Sequence, residues 1–179
     1  MSVVKRNWHM FVAVLLAVTM VALVGCSRSI VDSTQAADQP HVLSRMAPPS
    51  SGASGSPVNL YAEQVISAVL GGQLRALDVV LTVPPGAVHS DTLFSIFIPD
   101  DEIFYNEFGT DGLVFDVPVT VTMSYRNADL SGVDESTIRI GYWNITTGKW
   151  HDMTCTVDYV NKTVTAQLTH FSAYGLISD

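Results

Sequence analysis

Oxygen donors recur at alternate positions in Asn127-Ala128-Asp129-Leu130-Ser131-Gly132, and a glycine closes the series. That is the first half of a calcium-loop pattern, which makes Asn127, Asp129 and Ser131 candidate cation ligands. The twelfth position, where such a loop needs a bidentate acid, is Ile138. An Asx turn, in which the side chains bond their own backbone, fits the same residues. A second acidic region, Asp100-Asp101-Glu102 with Glu107, Asp111 and Asp116 beyond it, offers either cation ligands or a solvated loop. Tyr142, Trp143 and Trp150 supply flat rings that can stack on a glycan, although strand alternation should bury one of the adjacent pair Tyr142 and Trp143. Cys155 shares its face with Met153 and Val157, so it reads as a small apolar side chain rather than a reactive thiol. The sequence holds no histidine-rich metal cluster, phosphate-cradling glycine loop or catalytic triad, and no cofactor is expected.

These residues lie in a region built from strands. Val79, Leu81 and Val83 alternate with polar or smaller neighbours, as do Phe94, Ile96 and Ile98. Val117, Val119, Val121, Met123 and Tyr125 stand opposite Thr120, Thr122 and Ser124. Further runs cover 137–143, 149–158, 162–169 and 171–177, with hairpin turns at 144–148 and 159–161. Short strands that are apolar on one face need a second sheet to cover that face. The expectation for residues 59–179 is therefore an all-β fold, a single antiparallel β-sandwich.

The first 26 residues specify an address. Lys5 and Arg6 form a charged start, and Met10 to Val24 an apolar run broken by Thr19. As a helix that run would rise roughly 22 Å, short of a bilayer's hydrocarbon core. It reads as a cleaved signal peptide, residues 1–25. Leu23-Val24-Gly25-Cys26 resembles the lipobox of bacterial lipoproteins. That resemblance implies lipidation of the Cys26 thiol by a diacylglyceryl group, cleavage before it and acylation of the new amine with palmitate-type chains. Two or more acyl chains anchor a protein stably, so the membrane is an expected partner through the lipid. Ser27, rather than Asp, resembles the outer-membrane sorting pattern in bacteria with two membranes.

Residues 26–58 have no apolar period and culminate in Ala47-Pro48-Pro49-Ser50-Ser51-Gly52, so they are expected to form a flexible linker that adds nothing to the core. Seven of the nine basic residues and all 17 acidic ones follow the signal, leaving −10 on the mature chain. Such a surface would repel nucleic acid and anionic lipid headgroups. With Cys26 acylated, Cys155 is the lone remaining cysteine, and no internal disulfide is possible.

Gly71-Gly72, Val80-Leu81-Thr82-Val83-Pro84-Pro85-Gly86-Ala87-Val88, Gly112-Leu113-Val114-Phe115, Pro118-Val119-Thr120-Val121, Tyr142-Trp143-Asn144, Gly148-Lys149-Trp150 and His170-Phe171-Ser172-Ala173-Tyr174 follow one another in an order that resembles the ZU domain. That is the β-sandwich module of zonula occludens proteins, netrin receptors, ankyrins and death-domain scaffolds. The resemblance implies a protein-interaction or scaffolding unit of the cell envelope, binding an envelope protein or glycan without catalysis. It also implies one possible reaction, self-cleavage at His170-Phe171-Ser172, with Ser172 as nucleophile, Phe171 as acyl donor and His170 as base. Cleavage there would free only eight residues. By alternation His170 shares a face with Val164, Ala166 and Leu168, which suits a partly buried structural histidine equally well.

Overall fold

The computed structural model describes residues 39–47 and 59–179. The expected signal, the expected lipidation site Cys26 and most of the expected linker lie outside the described residues.

Among the described residues, twelve strands form two antiparallel sheets: β1 (His41–Val42), β2 (Tyr61–Ile66), β3 (Gly72–Ala76), β4 (Val79–Val83), β5 (Thr92–Phe97), β6 (Tyr105–Gly109), β7 (Val114–Ser124), β8 (Arg139–Asn144), β9 (Lys149–Asp152), β10 (Cys155–Asp158), β11 (Thr163–His170) and β12 (Ala173–Ser178). One sheet runs β2-β5-β6-β12-β8-β9, with β1 added beside β12; the other runs β10-β11-β7-β4-β3. The protein is a β-sandwich, as the alternating runs predict. Val79, Leu81, Val83, Phe94, Ile96, Ile98, Val119, Val121, Met123, Val164, Ala166 and Leu168 all turn inward and are buried between the sheets. Each fully buried aliphatic or aromatic side chain of this kind contributes about 1.5–3 kcal/mol relative to its exposed state.

The structure corrects the sequence reading at three places. The fold begins before residue 59. His41 and Val42 pair with Ser178 and Ile177 of β12, continuing the edge that β6 leaves open beyond Gly175. Leu43 is buried, and the Arg45 side chain has no exposed surface. Arg45 donates twice to the Asp78 carboxylate, at 3.1 Å each, and also to the backbone oxygens of Asp101 and Ile103; its guanidinium lies 4.2 Å from the centre of the Phe104 ring. A low-complexity flank hid this segment, because a two-residue strand and one buried cation leave no periodicity.

The run 149–158 is two strands, not one. It breaks at Met153-Thr154, so that β9 pairs with β8 while β10 pairs with β11 in the opposite sheet. Alternation survives such a change of sheet, which is why the sequence reads as continuous.

Val117 is exposed rather than sharing the buried face of Val119, Val121 and Met123. Between Leu168 opposite Val119 and His170 opposite Val114, β7 carries extra residues and the register shifts. Pro118 explains the position of this bulge, since it has no N–H for the ladder. His170, beyond the bulge, is half-buried, as the sequence suggests, with its ring 5.7 Å from Tyr142 and 6.3 Å from Tyr174 of the other sheet, and Phe171 after it is fully buried.

The predicted turns are present. Asn144 Oδ1 accepts from the N–H groups of Thr146 and Thr147 between β8 and β9, and Asp158 Oδ1 accepts from those of Val160 and Asn161 between β10 and β11.

Candidate functional site: an aromatic and acidic trough

The outer face of the seven-stranded sheet is organised by one cross-strand row. Tyr61 pairs with Phe97, Phe97 with Glu107, Glu107 with Ala173, Ala173 with Trp143 and Trp143 with Trp150. The alternation that turns Phe94 and Ile96 inward forces Leu93, Ser95 and Phe97 outward. In the next row, Tyr105 pairs with Gly175 and Gly175 with Gly141. Those two glycines make a floor. A Cβ on Gly175 would stand 2.9 Å from the Phe104 carbonyl oxygen and 3.0 Å from the Trp150 ring, and one on Gly141 would stand 3.2 Å from the same ring. The Trp150 indole thus lies on bare backbone, held edge-on by Trp143 at 5.3 Å and Tyr105 at 6.2 Å between ring centres.

A hollow of about 440 Å³ opens above this row, lined by Phe97, Tyr105, Trp143, Glu107, Asp111 and Ser172 among others. Small residues at its centre, Ala173 and Gly109, make it concave. Glu107 accepts a long hydrogen bond from the Tyr105 hydroxyl at 3.5 Å. Burial first, and then the Glu107 charge, push the Tyr105 phenol above its ordinary value, so it stays a neutral donor. Among the described residues, no lysine, arginine or histidine lines the hollow.

Tyr142 and Trp143 divide the expected roles differently from a simple choice of one buried ring. Both are half-buried. Tyr142 packs at the margin of the core, stacked on His151 at 5.0 Å and edge-on to His170 at 5.7 Å. Trp143 and Trp150 turn to the outer face. The aromatic surface is therefore Tyr61, Phe97, Tyr105, Trp143 and Trp150. The sequence reading missed Phe97, Tyr105 and Tyr61; an inventory of the outward positions of β2, β5 and β6 would have found them.

His170, Phe171 and Ser172 border this region. The His170 Nδ1 lies 3.1 Å from the Phe171 carbonyl oxygen, whereas the Ser172 hydroxyl donates to the Trp143 carbonyl at 3.5 Å. No hydrogen bond joins His170 to Ser172. The imidazole therefore sits where a donor to the carbonyl would sit, not where a base for the hydroxyl would. The Tyr174 hydroxyl donates to the His170 carbonyl at 2.8 Å, fixing the turn.

The candidate calcium residues act together in another way. Asp129 Oδ1 accepts from the Ser131 N–H at 2.9 Å, an Asx turn, and the Ser131 hydroxyl first, then that N–H, hold the Asp129 carboxyl below its usual range. Asn127 donates to the Ala47 carbonyl at 2.9 Å, and the Asp129 N–H to Ser44, so this loop docks the N-terminal segment. Among the described residues no three histidine, cysteine or acidic side chains gather around a common point. The acidic region disperses: Asp100 caps a turn at Glu102, Asp116 meets His89 at 3.3 Å, and Glu107 and Asp111 enter the hollow. Cys155 packs against the core with Met153 and Val157, and burial pushes its thiol up. No described helix is long and apolar enough to cross a membrane.

Compared with protein-family models and with curated proteins, the chain matches none of either.

Proposed function

We propose that the protein is a lipid-anchored, extracytoplasmic β-sandwich of the bacterial cell envelope that acts as a non-catalytic, protein-binding module of ZU type. The outward aromatic row ending in the acidic hollow carries this reading. Rings that fold against solvent gain little for stability, yet they are the residue types that dominate contacts between proteins. The position of the hollow suits an anchored binder. It opens by Ala173 at the start of β12, whereas the N-terminal segment joins β12 at Ser178, five residues further along and about 17 Å away. A chain held at Cys26 would then enter the domain at the end remote from the hollow. Only residues 27–38 separate Cys26 from Gln39, so the tether spans at most about 45 Å. In a bacterium with two membranes the anchor would place the domain on the outer one.

Site-specific photocrosslinking in intact cells tests the binding role. A photoreactive residue in place of Phe97 should give a discrete crosslinked species, and one in place of Thr165 on the opposite outer face should not. Equal labelling from both positions, or none from Phe97, would remove the basis for this reading. Mass analysis of the mature N-terminus tests the anchor: acylated Cys26 is expected, and an unmodified or uncleaved N-terminus refutes it.

A further inference from the structure

We propose, resting on the binding role just given, that the hollow receives a basic side chain, arginine foremost, from an extended polypeptide laid across the outer face of the seven-stranded sheet. Glu107 and Asp111 bring two carboxylates to its lining, and among the described residues no cation lines it. Most lysines and arginines of the described residues are engaged or placed elsewhere; Lys149, opposite Asn144 in the β8–β9 hairpin, is close in register to Trp143 but not among the lining residues. Arg45 pairs with Asp78, Arg139 with Asp152 and Asp179, and Lys162 with Glu135. Arg75 and Arg126 line a separate hollow that also includes Thr122 and Ser124.

Geometry selects the shape of the missing cation. Glu107, Ala173 and Trp143 are successive partners across three strands, so the backbones of Glu107 and Trp143 are two strand spacings apart, roughly 10 Å. Ala173, between them, offers only a methyl group as floor. A planar guanidinium fits that slot, pairing with carboxylate on one side and stacking on indole or phenol on the other. Beyond Glu107 the same row continues to Phe97 and Tyr61, and on the same face the Glu63–Ser95 pair separates it from the Val65–Leu93 pair; Tyr61, Phe97, Val65 and Leu93 are between 43% and 60% exposed. Alternate residues of an extended chain are about 7 Å apart, and Phe97 lies two strand spacings, roughly 10 Å, from Ala173 along that row. An apolar side chain two residues from the arginine would therefore reach the near edge of the Phe97 ring. Exposed valine and leucine suit such a side chain rather than the hydroxyls of a sugar, and anionic glycans would meet like charge.

The test uses the full mature lipoprotein in nonionic detergent micelles and follows its indole N–H resonances. The probes are acetyl-Leu-Gly-Arg-Gly-Leu-amide, the same peptide with neutral, isosteric citrulline in place of arginine, and a β-1,4-linked N-acetylglucosamine tetramer. The arginine peptide should shift the Trp143 resonance saturably and at least tenfold more tightly than the citrulline peptide, with affinity falling as salt rises. Glu107→Gln should erase that preference while leaving the citrulline affinity unchanged, and Asp111→Asn should reduce it. Equal binding of the two peptides, an unaltered preference in Glu107→Gln, or a shift with the tetramer but not the arginine peptide would each overturn the inference. If neither peptide binds while the Phe97 crosslink still forms, the partner's chemistry is wrong and the binding role stands. If that crosslink is absent as well, both fall.

Discussion

The two outer faces of this sandwich obey the same alternation but present opposite surfaces. On the five-stranded sheet, many outward residues are hydroxyls and amides that satisfy one another across strands, beside Arg75 and Val80: Gln73 donates to Thr82 at 3.1 Å, Gln167 to Thr120 at 3.0 Å, and Thr122 meets Thr165 at 3.1 Å. Each of these is a directly opposed cross-strand pair. On the seven-stranded sheet the outward residues include rings, glycines, carboxylates and the exposed pair Val65 and Leu93, and Glu107 and Asp111 have no basic partner among the described residues. A face whose polar groups are mutually bonded has little left to offer a partner. A face with exposed rings around unpaired carboxylates retains both apolar area and charge to be satisfied, and that difference points to the second face as the site of recognition.

The contrast depends on the seven-stranded sheet being complete, so the largest effect should come from its N-terminal supplement. A chain that starts at Asn59 loses the strand beside β12, the buried Leu43 and the cation opposite Asp78. Asp78→Ala isolates the electrostatic part. Burial pushes the Asp78 carboxyl up further than Arg45 draws it down, so the pair is held in poorly solvating surroundings. Removing one member leaves a guanidinium with no exposed surface facing only carbonyls and a ring. The expected cost is about 3–5 kcal/mol, toward the lower end because those carbonyls remain. Urea unfolding of Asp78→Ala beside wild type measures it. A loss below about 1 kcal/mol would mean that β1 is an accessory to the fold rather than a part of it.

A smaller effect separates the faces directly. Gly175→Ala puts a methyl group against the Phe104 carbonyl and the Trp150 ring, where there is no space for it, and should cost about 1–3 kcal/mol while perturbing Trp150 fluorescence. Thr165→Val, on the bonded face, should change stability by no more than about 0.5 kcal/mol. Comparable losses at both positions would show that the two faces do not differ in how tightly they are built.

Much of this fold was legible in the sequence because alternation is a two-residue signal: Val79 to Val83, Phe94 to Ile98 and Val119 to Met123 declare their buried faces without any knowledge of partners. What alternation cannot express is which sheet a strand joins. The break at Met153-Thr154 preserves period two while changing sheets, and the bulge around Pro118 shifts His170 relative to Leu168 without altering the local pattern. The hollow was only half legible for a related reason. Trp143 and Trp150 attract notice as tryptophans near one another in sequence, whereas Phe97, Tyr105 and Glu107 belong to other strands and join them through the sheet order β5-β6-β12-β8.

Acid should act on the turns rather than on either face. The Ser136 hydroxyl and then its N–H hold the Asp134 carboxyl below the usual range, the Asn161 N–H and side chain do the same for Asp158, and Glu135 is held down by the Lys162 ammonium and the Tyr125 hydroxyl. A carboxyl whose folded value is depressed stabilises the fold above its ordinary value, about pH 4, and that contribution is lost as pH falls through the folded value. Asp78 has the opposite sign, because protonation relieves the burial of its charge. The urea midpoint should therefore be nearly flat from about pH 7 to 5 and decline below about pH 4, with a shallower decline in Asp134→Asn. A midpoint that rises on acidification would show that Asp78 outweighs the turns.

The smallest expected effect concerns Ser172, which lies on the rim of the hollow and at the end of the His170-Phe171-Ser172 segment. If that segment cleaved itself, the Ser172 hydroxyl would have to reach the Phe171 carbonyl carbon with a base positioned to take its proton. Instead its hydroxyl donates to Trp143, and the imidazole is on the carbonyl oxygen. Imidazole on that oxygen would stabilise a developing charge, but it leaves the attacking group unactivated. Moreover, Ser172 to Asp179 includes all of β12, which pairs with β6, β8 and β1, so cutting there would detach the central strand of the seven-stranded sheet from the covalent chain. The wild-type protein should consequently show an intact C-terminus by mass after denaturation, and Ser172→Ala should alter stability by no more than about 0.5 kcal/mol, since the hydrogen bond it removes is long and partly exposed. A fragment ending at Phe171 that disappears in Ser172→Ala would reverse this conclusion: the rim of the hollow would then be a reaction centre, and the contrast between the two faces would be one of chemistry as well as of recognition.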